Sequence, residues 1–168
     1  MKVQPALAAS WETQDSGKKV VFHLRSGLTF SNGAPLTAAN VVSSWTRVLN
    51  PNVPSQLASL LDDVVGARAY REGKGQASSV GIKAAGPGNI EVALVRPAAD
   101  FAAIASSPTP AVVPSALDTH PGAPKSGTFV GSGATVVRRL TATDTPLADH
   151  SPSWPRAQEY TLCESGSR

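Results

Sequence analysis

The sequence contains few of the residues that build disulfides, metal sites or membrane spans. It has a single cysteine, Cys163, among 168 residues, which excludes an internal disulfide and a cysteine-based metal site. Its three histidines, His23, His120 and His150, are far apart and form no i, i+4 pair of the kind that binds zinc on a helix. No stretch of apolar residues approaches the length that spans a bilayer. We therefore expect no metal, no cofactor and no membrane-spanning helix.

Catalytic motifs are equally scarce. The chain has no G-x-S-x-G sequence, no phosphate-binding P-loop and no complete G-x-G-x-x-G. Ser10, Ser43 and Ser44 have no assignable base, so nucleophilic catalysis has no support. Asp62 and Asp63 are adjacent, and adjacent residues on a helix do not face the same side, so we expect a solvated helix end there. These absences predict that the chain is not an enzyme.

Charge is sparse and scattered along the chain. The 15 basic and 12 acidic residues leave a net charge of +3, and aromatic residues make up only 5%. Nucleic-acid grooves usually combine clustered cations with stacking aromatics, so no nucleic-acid partner is expected. A charged fraction of 16% lies well below that of disordered chains and favours a folded protein. The start, MKVQP, leads into no apolar segment of the kind found in secretory signals, so no signal peptide is predicted.

Two turns and one strand are clear in the first part of the chain. KVVFHLR, residues 19–25, alternates so that Val20, Phe22 and Leu24 face one side, which is typical of a half-buried strand with His23 directed at solvent. The turn residues Asp15-Ser16-Gly17 precede it, so residues 6–12 are predicted to pair with it as a hairpin.

A capped amphipathic helix follows the turn at Ser31-Asn32-Gly33. Thr37 is a suitable N-cap, and Asn50-Pro51 is expected to stop the helix because the residue before proline disfavours the α region. Apolar residues recur between them at helical spacing: Ala38, Val41, Val42, Trp45, Val48 and Leu49. The pattern predicts a helix that buries Trp45.

The remaining pattern is shorter and weaker. Helices are expected over 55–61, over 64–73 with an end at Gly73, and over 98–106. Between the last two, residues 80–94 alternate about the turn Gly86-Pro87-Gly88-Asn89, which predicts a second hairpin. ATVVRRL, residues 134–140, is a candidate strand, and the last twenty or so residues have no usable periodicity. From the residues alone, the chain is a small α/β protein without visible catalytic machinery.

One ordered string adds a family resemblance. ALAASWETQDSGKKVVFHLRSGLTFSNGAPLTAANVVSSWTRVLNP, residues 6–51, closely resembles the signature region of the family 5 extracellular solute-binding proteins, the peptide-binding subunits of ABC importers. The residues that match in register are Leu7, Ser10, Trp11, Glu12, Gly17, Phe22, Leu24, Arg25, Phe30, Gly33, Pro35, Thr37, Ala38, Ser44, Trp45 and Arg47. The similarity continues to about residue 149. The chain departs from the family pattern in four places: Asn40 replaces the usual acidic residue, Ser55-Gln56-Leu57 replaces an aromatic S-P-Y loop, Thr135 replaces the tyrosine of G-x-G-[AP]-Y, and only Trp154 remains of N-P-x-Y-W.

The resemblance implies a fold and a division of the chain. It implies part of a periplasmic-binding-protein type II fold, of α/β (α+β) class, with a small mixed sheet, hairpins and short helices. Residues 5–107 would form the auxiliary α/β domain of the N-terminal lobe, 108–126 a proline-rich connection, 127–149 partial strands of the ligand-facing domain, and 150–168 an irregular tail.

The resemblance also implies a role in transport. The parent protein would capture a peptide or another small solute in the periplasm or at the extracytoplasmic membrane surface and deliver it to an ABC transporter permease. It would meet the membrane only through that permease or a lipid anchor. Leu57 and Ser59, near the ligand-facing loop of the family, are the candidate ligand-binding residues. The alternative is a truncated or degenerate non-catalytic α/β interaction module without transport activity.

Overall fold

The structure is a computed structural model, and it describes residues 5–53, 55–107, 111–114, 130–133, 135–137 and 147–149. The strands are β1 (Ala8–Gln14), β2 (Lys19–Leu24), β3 (Ile82–Ala84), β4 (Asn89–Ala93), β5 (Thr135–Val137) and β6 (Leu147–Asp149). The α-helices are α1 (Ala38–Val48), α2 (Ala67–Arg71) and α3 (Phe101–Ala105). Short 3-10 turns lie at Asp15–Gly17, Ala58–Leu61 and Ala77–Ser79.

Four strands form one antiparallel sheet in the order β1-β2-β4-β3, and β5 pairs with β6 in a separate antiparallel pair. Both predicted hairpins are present, with Trp11 opposite Phe22 in the first and Ile82 opposite Val92 in the second. Phe22 is also opposite Ile90, which joins the two hairpins through β2 and β4. The resemblance implied a mixed sheet, but this one is antiparallel throughout: a tight turn makes each hairpin antiparallel, and β2 and β4 also pair antiparallel.

Strand β2 is more buried than alternation alone predicts. Val20 and Phe22 are buried as expected, and the His23 side chain is 41% exposed, but Val21 on the opposite face is also buried. The reason is that β2 is a central strand, so Val21 lies between Glu12 of β1 and Glu91 of β4, whose side chains flank it on the outer face.

Helix α1 follows the predicted N-cap, Thr37, and ends at Val48, two residues before the predicted stop at Asn50. The backbone N–H and the hydroxyl of Thr37 both donate to Oδ1 of Asn40, at 2.9 Å each. Asn40 therefore contributes a hydrogen-bonded cap in place of the acidic residue that the family pattern has there. The helix buries Ala38, Val41 and Trp45.

Two of the predicted helices are wrong in extent. The helix expected over 55–61 is only a 3-10 turn at Ala58–Leu61, whose buried residues Ala58 and Leu61 are three apart, as the 3-10 period requires. The helix expected over 64–73 begins only at Ala67, because Val64 forms a β-bridge with Leu94 and Gly66 has a φ of +72°. The helix expected over 98–106 is confirmed as the shorter α3.

The core lies between the inner face of the sheet and helices α1 and α3. At its centre, Trp45 meets Phe22 edge-on at a ring-centroid distance of 6.1 Å and Phe101 at 6.2 Å. Phe101 is fully buried and Trp45 is nearly so. The predicted strand at 134–140 is present as β5. The predicted connection at 108–126 lies mostly outside the described residues, and the predicted tail at 150–168 lies wholly outside them.

Candidate functional site

The two sequence-predicted site residues lie on the outer surface of one short turn. In the candidate loop, which we define as residues 55–61, Leu57 is 54% exposed and Ser59 is also exposed. Their neighbours Ala58 and Leu61 are buried and anchor the turn in the core. Leu60, 37% exposed, adds a second apolar side chain to the outer face. The candidate loop thus exposes apolar side chains and a hydroxyl, while its buried residues Ala58 and Leu61 anchor it.

Two ion pairs hold the end of the candidate loop. Asp62 accepts two hydrogen bonds from Arg71 of α2, at 3.0 and 2.7 Å, and Asp63 accepts two from Arg96, at 2.8 and 2.6 Å. Asp62 lies at a helix end as expected, being the C-cap of the 3-10 turn, but both aspartates are only partly exposed and each has an arginine from a neighbouring segment as a bidentate partner. The hydrogen bond and the charge of Asp62 raise the pKa of Arg71. Paired guanidinium and carboxylate planes fix relative orientation as well as position.

A largely apolar cavity of about 320 Å³ lies where the sheet meets α1 and α3. Its lining includes Trp11, Phe22, Leu24, Trp45, Ser107 and Val112. Oγ of Ser107 is buried and has no hydrogen-bond partner among the described residues. Leu57 and Ser59 do not line this cavity, so the structure does not bring the predicted site residues and the cavity together.

Residues 111–114 and 130–133, which we call the tethered segments, border the cavity and are fastened by serine side chains. Ser44 of α1 is 2% exposed, and its Oγ accepts a hydrogen bond from the Val113 N–H at 2.9 Å. Ser31 and Gly131 are joined by two bonds: the Ser31 N–H donates to the Gly131 carbonyl at 2.9 Å, and the Gly131 N–H donates to Ser31 Oγ at 3.1 Å.

The polar stripe of α1 contacts the first tethered segment through Ser44. Asn40, Ser44 and Arg47 are spaced by four and three residues and so share one side of the helix. Nε of Arg47 is buried without a hydrogen-bond partner in the part of the chain that the structure describes. An unpaired buried donor is costly, so Arg47 is the polar group of this stripe whose bonding is least complete.

The described residues contain neither a metal-binding cluster nor a membrane-spanning helix. Within them, no three side chains of the metal-binding types His, Cys, Asp and Glu come together. No helix there has the length and apolar character that crossing a bilayer requires.

Comparison with known proteins identifies the family. The family model described as bacterial extracellular solute-binding proteins, family 5 Middle, matches residues 2–145. The chain belongs to the family 5 bacterial extracellular solute-binding proteins.

Two curated Escherichia coli K12 proteins show how this family 5 chain relates to longer relatives. It is 35% identical over 165 residues to the probable deoxycholate-binding periplasmic protein YgiS, covering 96% of this chain and 31% of the relative. It is 31% identical over 154 residues to the periplasmic oligopeptide-binding protein OppA, covering 89% of this chain and 28% of the relative. The chain therefore spans under a third of the length of either protein.

A solved structure supports the expected fold. The substrate-binding domain of an oligopeptide ABC transporter from Bacillus anthracis superposes with a TM-score of 0.81 at 26% identity, over 88% of this chain and 29% of that one. The α/β class and the periplasmic-binding-protein type II fold expected from the resemblance are thereby confirmed. Family members bind substrates and are not enzymes.

Sequence reasoning missed the serine contacts and the ion pairs. One local signal was available for Ser44, because it lies next to the apolar residues Val41 and Trp45 of α1, where a buried polar residue has to find a partner. That partner, Val113, lies 69 residues away in the sequence, so no local pattern indicates which residue it is.

Proposed function

We propose that this chain is part of an extracytoplasmic solute-binding protein that captures peptides or similar solutes and delivers them to the permease of an ABC transporter. The observation that carries the proposal is the family match over residues 2–145, together with an oligopeptide-binding relative that covers 89% of the chain. On this proposal the protein acts in the periplasm or at the extracytoplasmic membrane surface. It meets the membrane through the permease or a lipid anchor, and it catalyses no reaction.

In this proposal the candidate loop contacts the ligand. Leu57 contributes an exposed apolar surface, and the nearby Ser59 hydroxyl offers one donor and acceptor to a peptide group. The bidentate pairs of Asp62 with Arg71 and of Asp63 with Arg96 hold the loop in place before the ligand arrives. A loop held in its bound shape loses less conformational entropy on binding, which favours affinity.

The proposed division of the chain assigns these roles to different parts. Residues 5–107 form the auxiliary domain that carries the candidate loop, and 127–149 contribute strands to the ligand-facing domain. Enclosing a solute between two lobes requires a second lobe. We therefore expect the 168 residues alone to show no measurable peptide affinity.

A second candidate is a truncated or degenerate non-catalytic interaction module without transport activity. It is kept because the chain spans only 31% and 28% of the two curated relatives. The DNA on either side of the coding segment distinguishes the two. A second-lobe sequence, or adjacent permease and ATPase genes, supports transport, and the lack of both supports the module.

The ligand-binding role of the candidate loop has a direct test. In the complete solute-binding protein encoded at the locus, calorimetric titration with mixed short peptides, and separately with deoxycholate, would identify the solute class. Leu57→Asp is expected to weaken binding at least tenfold, because it places a charge in an apolar contact. Val95→Asp is the matched control, since Val95 is 55% exposed and Leu57 54%. Equal affinities for wild type, Leu57→Asp and Ser59→Ala would remove the loop from the site.

A further inference from the structure

We infer that Ser44 and Ser31 are positioning residues, whose hydroxyls fasten the tethered segments to α1 and to the loop after β2 so that all of them move as one rigid piece. The inference rests on the proposed function in one respect, namely that a solute is captured by movement of parts of the molecule. Ser44 and Ser31 keep the tethered segments rigid during that movement.

The Ser44 hydroxyl contacts both backbone polar groups of Val113. Its Oγ accepts from the Val113 N–H at 2.9 Å and lies 3.1 Å from the Val113 carbonyl oxygen. The same oxygen lies 2.7 Å from the Asn40 carbonyl, one helical turn back. A hydroxyl has one proton and two lone pairs, so these contacts use its hydrogen-bonding capacity on both sides. Since Ser44 is 2% exposed, no bulk water reaches it to replace a lost partner.

The second tethered segment is fastened in the same manner. The two bonds between Ser31 and Gly131 join residues 100 apart in the sequence. Ser132 Oγ then donates to the Val112 carbonyl at 2.9 Å and links the two tethered segments to each other. The bonds therefore form a continuous path from α1 through residues 112–113 and 131–132 to the loop after β2.

This arrangement differs from that of a hinge. A hinge residue changes its φ and ψ at low cost, which requires that its backbone partners be exchangeable with water. Opening residue 113 would instead leave the buried Ser44 hydroxyl with its bond to the Asn40 carbonyl but with no donor for its lone pairs, and unsatisfied hydrogen-bonding capacity in a buried group is disfavoured. The hinge for the movement that encloses a solute consequently lies outside the tethered segments.

Amide hydrogen exchange followed by NMR tests the inference on the 168-residue chain itself. In the wild type, the amides of Val113 and Gly131 are expected to be protected from exchange, like the amides of β2. Ser44→Ala is expected to accelerate exchange at Val113 about tenfold relative to β2, the effect of losing about one hydrogen bond. Ser31→Ala is expected to do the same at Gly131. Ser79→Ala, which removes a local bond to the Gln76 carbonyl, is the control and leaves both amides unchanged.

Two outcomes would overturn the inference. One is a wild type in which Val113 and Gly131 exchange at the rate of an unprotected amide. The other is an acceleration by Ser44→Ala that is equal at Val113 and throughout β2, because a purely global loss of stability acts on all amides alike. If Ser44→Ala does not fold, the Ser31→Ala variant and the wild-type measurement still decide. No ligand is needed, so a failure here is distinct from a failure of the proposed transport role.

Discussion

Replacing Gly66 by alanine is expected to destabilise the chain much more than the same change at Gly73. Both glycines have a φ of +72°, where alanine costs about 1–2 kcal/mol. Their surroundings differ. A Cβ at position 66 would lie 2.5 Å from the backbone oxygen of Ser79 and 3.1 Å from its carbonyl carbon, whereas a Cβ at position 73 would have nothing within 4 Å.

The close contact adds a second cost at Gly66 only. Ser79 presents backbone there, and it is held because the N–H groups of Ser79 and Gly81 bond to Gln76 and Val65. Forcing an extra methyl group against fixed atoms typically costs about 1–3 kcal/mol. We therefore expect a loss of roughly 1–2 kcal/mol for Gly73→Ala and roughly 2–5 kcal/mol for Gly66→Ala.

Urea unfolding followed by circular dichroism measures the difference. With a slope of about 2 kcal/mol/M, a difference of about 2 kcal/mol separates the two midpoints by about 1 M. Equal midpoints for the two variants would show that Ser79 does not press on position 66.

Two further predictions concern the core and an exposed acid. Trp45→Ala is expected to cost about 3–5 kcal/mol of unfolding free energy, because it removes the ring that contacts Phe22 and Phe101; a loss below about 1 kcal/mol in urea unfolding would contradict the packing described. Hydrogen bonds from Lys74 and then Arg68 lower the pKa of Glu72 from 4.5 to about 2. The stabilisation of the fold by the ionised Glu72 carboxylate is therefore present above pH 4.5 and lost as the pH falls toward 2. Glu72→Gln is expected to flatten the fall in melting temperature over that range. Identical pH profiles for wild type and variant would exclude this contribution of Glu72.

Prediction from sequence worked where neighbours in the chain also become neighbours in space. The two hairpins and α1 follow from alternation, turn residues and a cap, all of which act over a few residues. It failed for Val21, since a residue directed away from the core is buried only when strands on both sides cover it. It also failed for the helix expected over 64–73, where pairing of Val64 with Leu94 overrode helical propensity.

The candidate site also combines features that the sequence indicated with contacts that it did not. The place of Leu57 and Ser59 on a loop was indicated by the family pattern, and their exposure on a 3-10 turn agrees with it, while their contact with ligand stays a prediction. The partners of Asp62 and Asp63 were not predicted. Arg71 lies 9 residues away and Arg96 lies 33 residues away, so only the folded chain brings those charges together.

By itself, the sequence determined the hairpins and the capped helix, because each depends on local chemistry acting over a few residues, and its resemblance to a known family indicated the fold class. Tertiary structure alone decided which hydroxyl meets which backbone group. Ser44 and Val113 are separated by 69 residues, and Ser31 and Gly131 by 100. A hydrogen bond acts over about 3 Å, so its partners are set by how the whole chain packs and by no property of either residue alone.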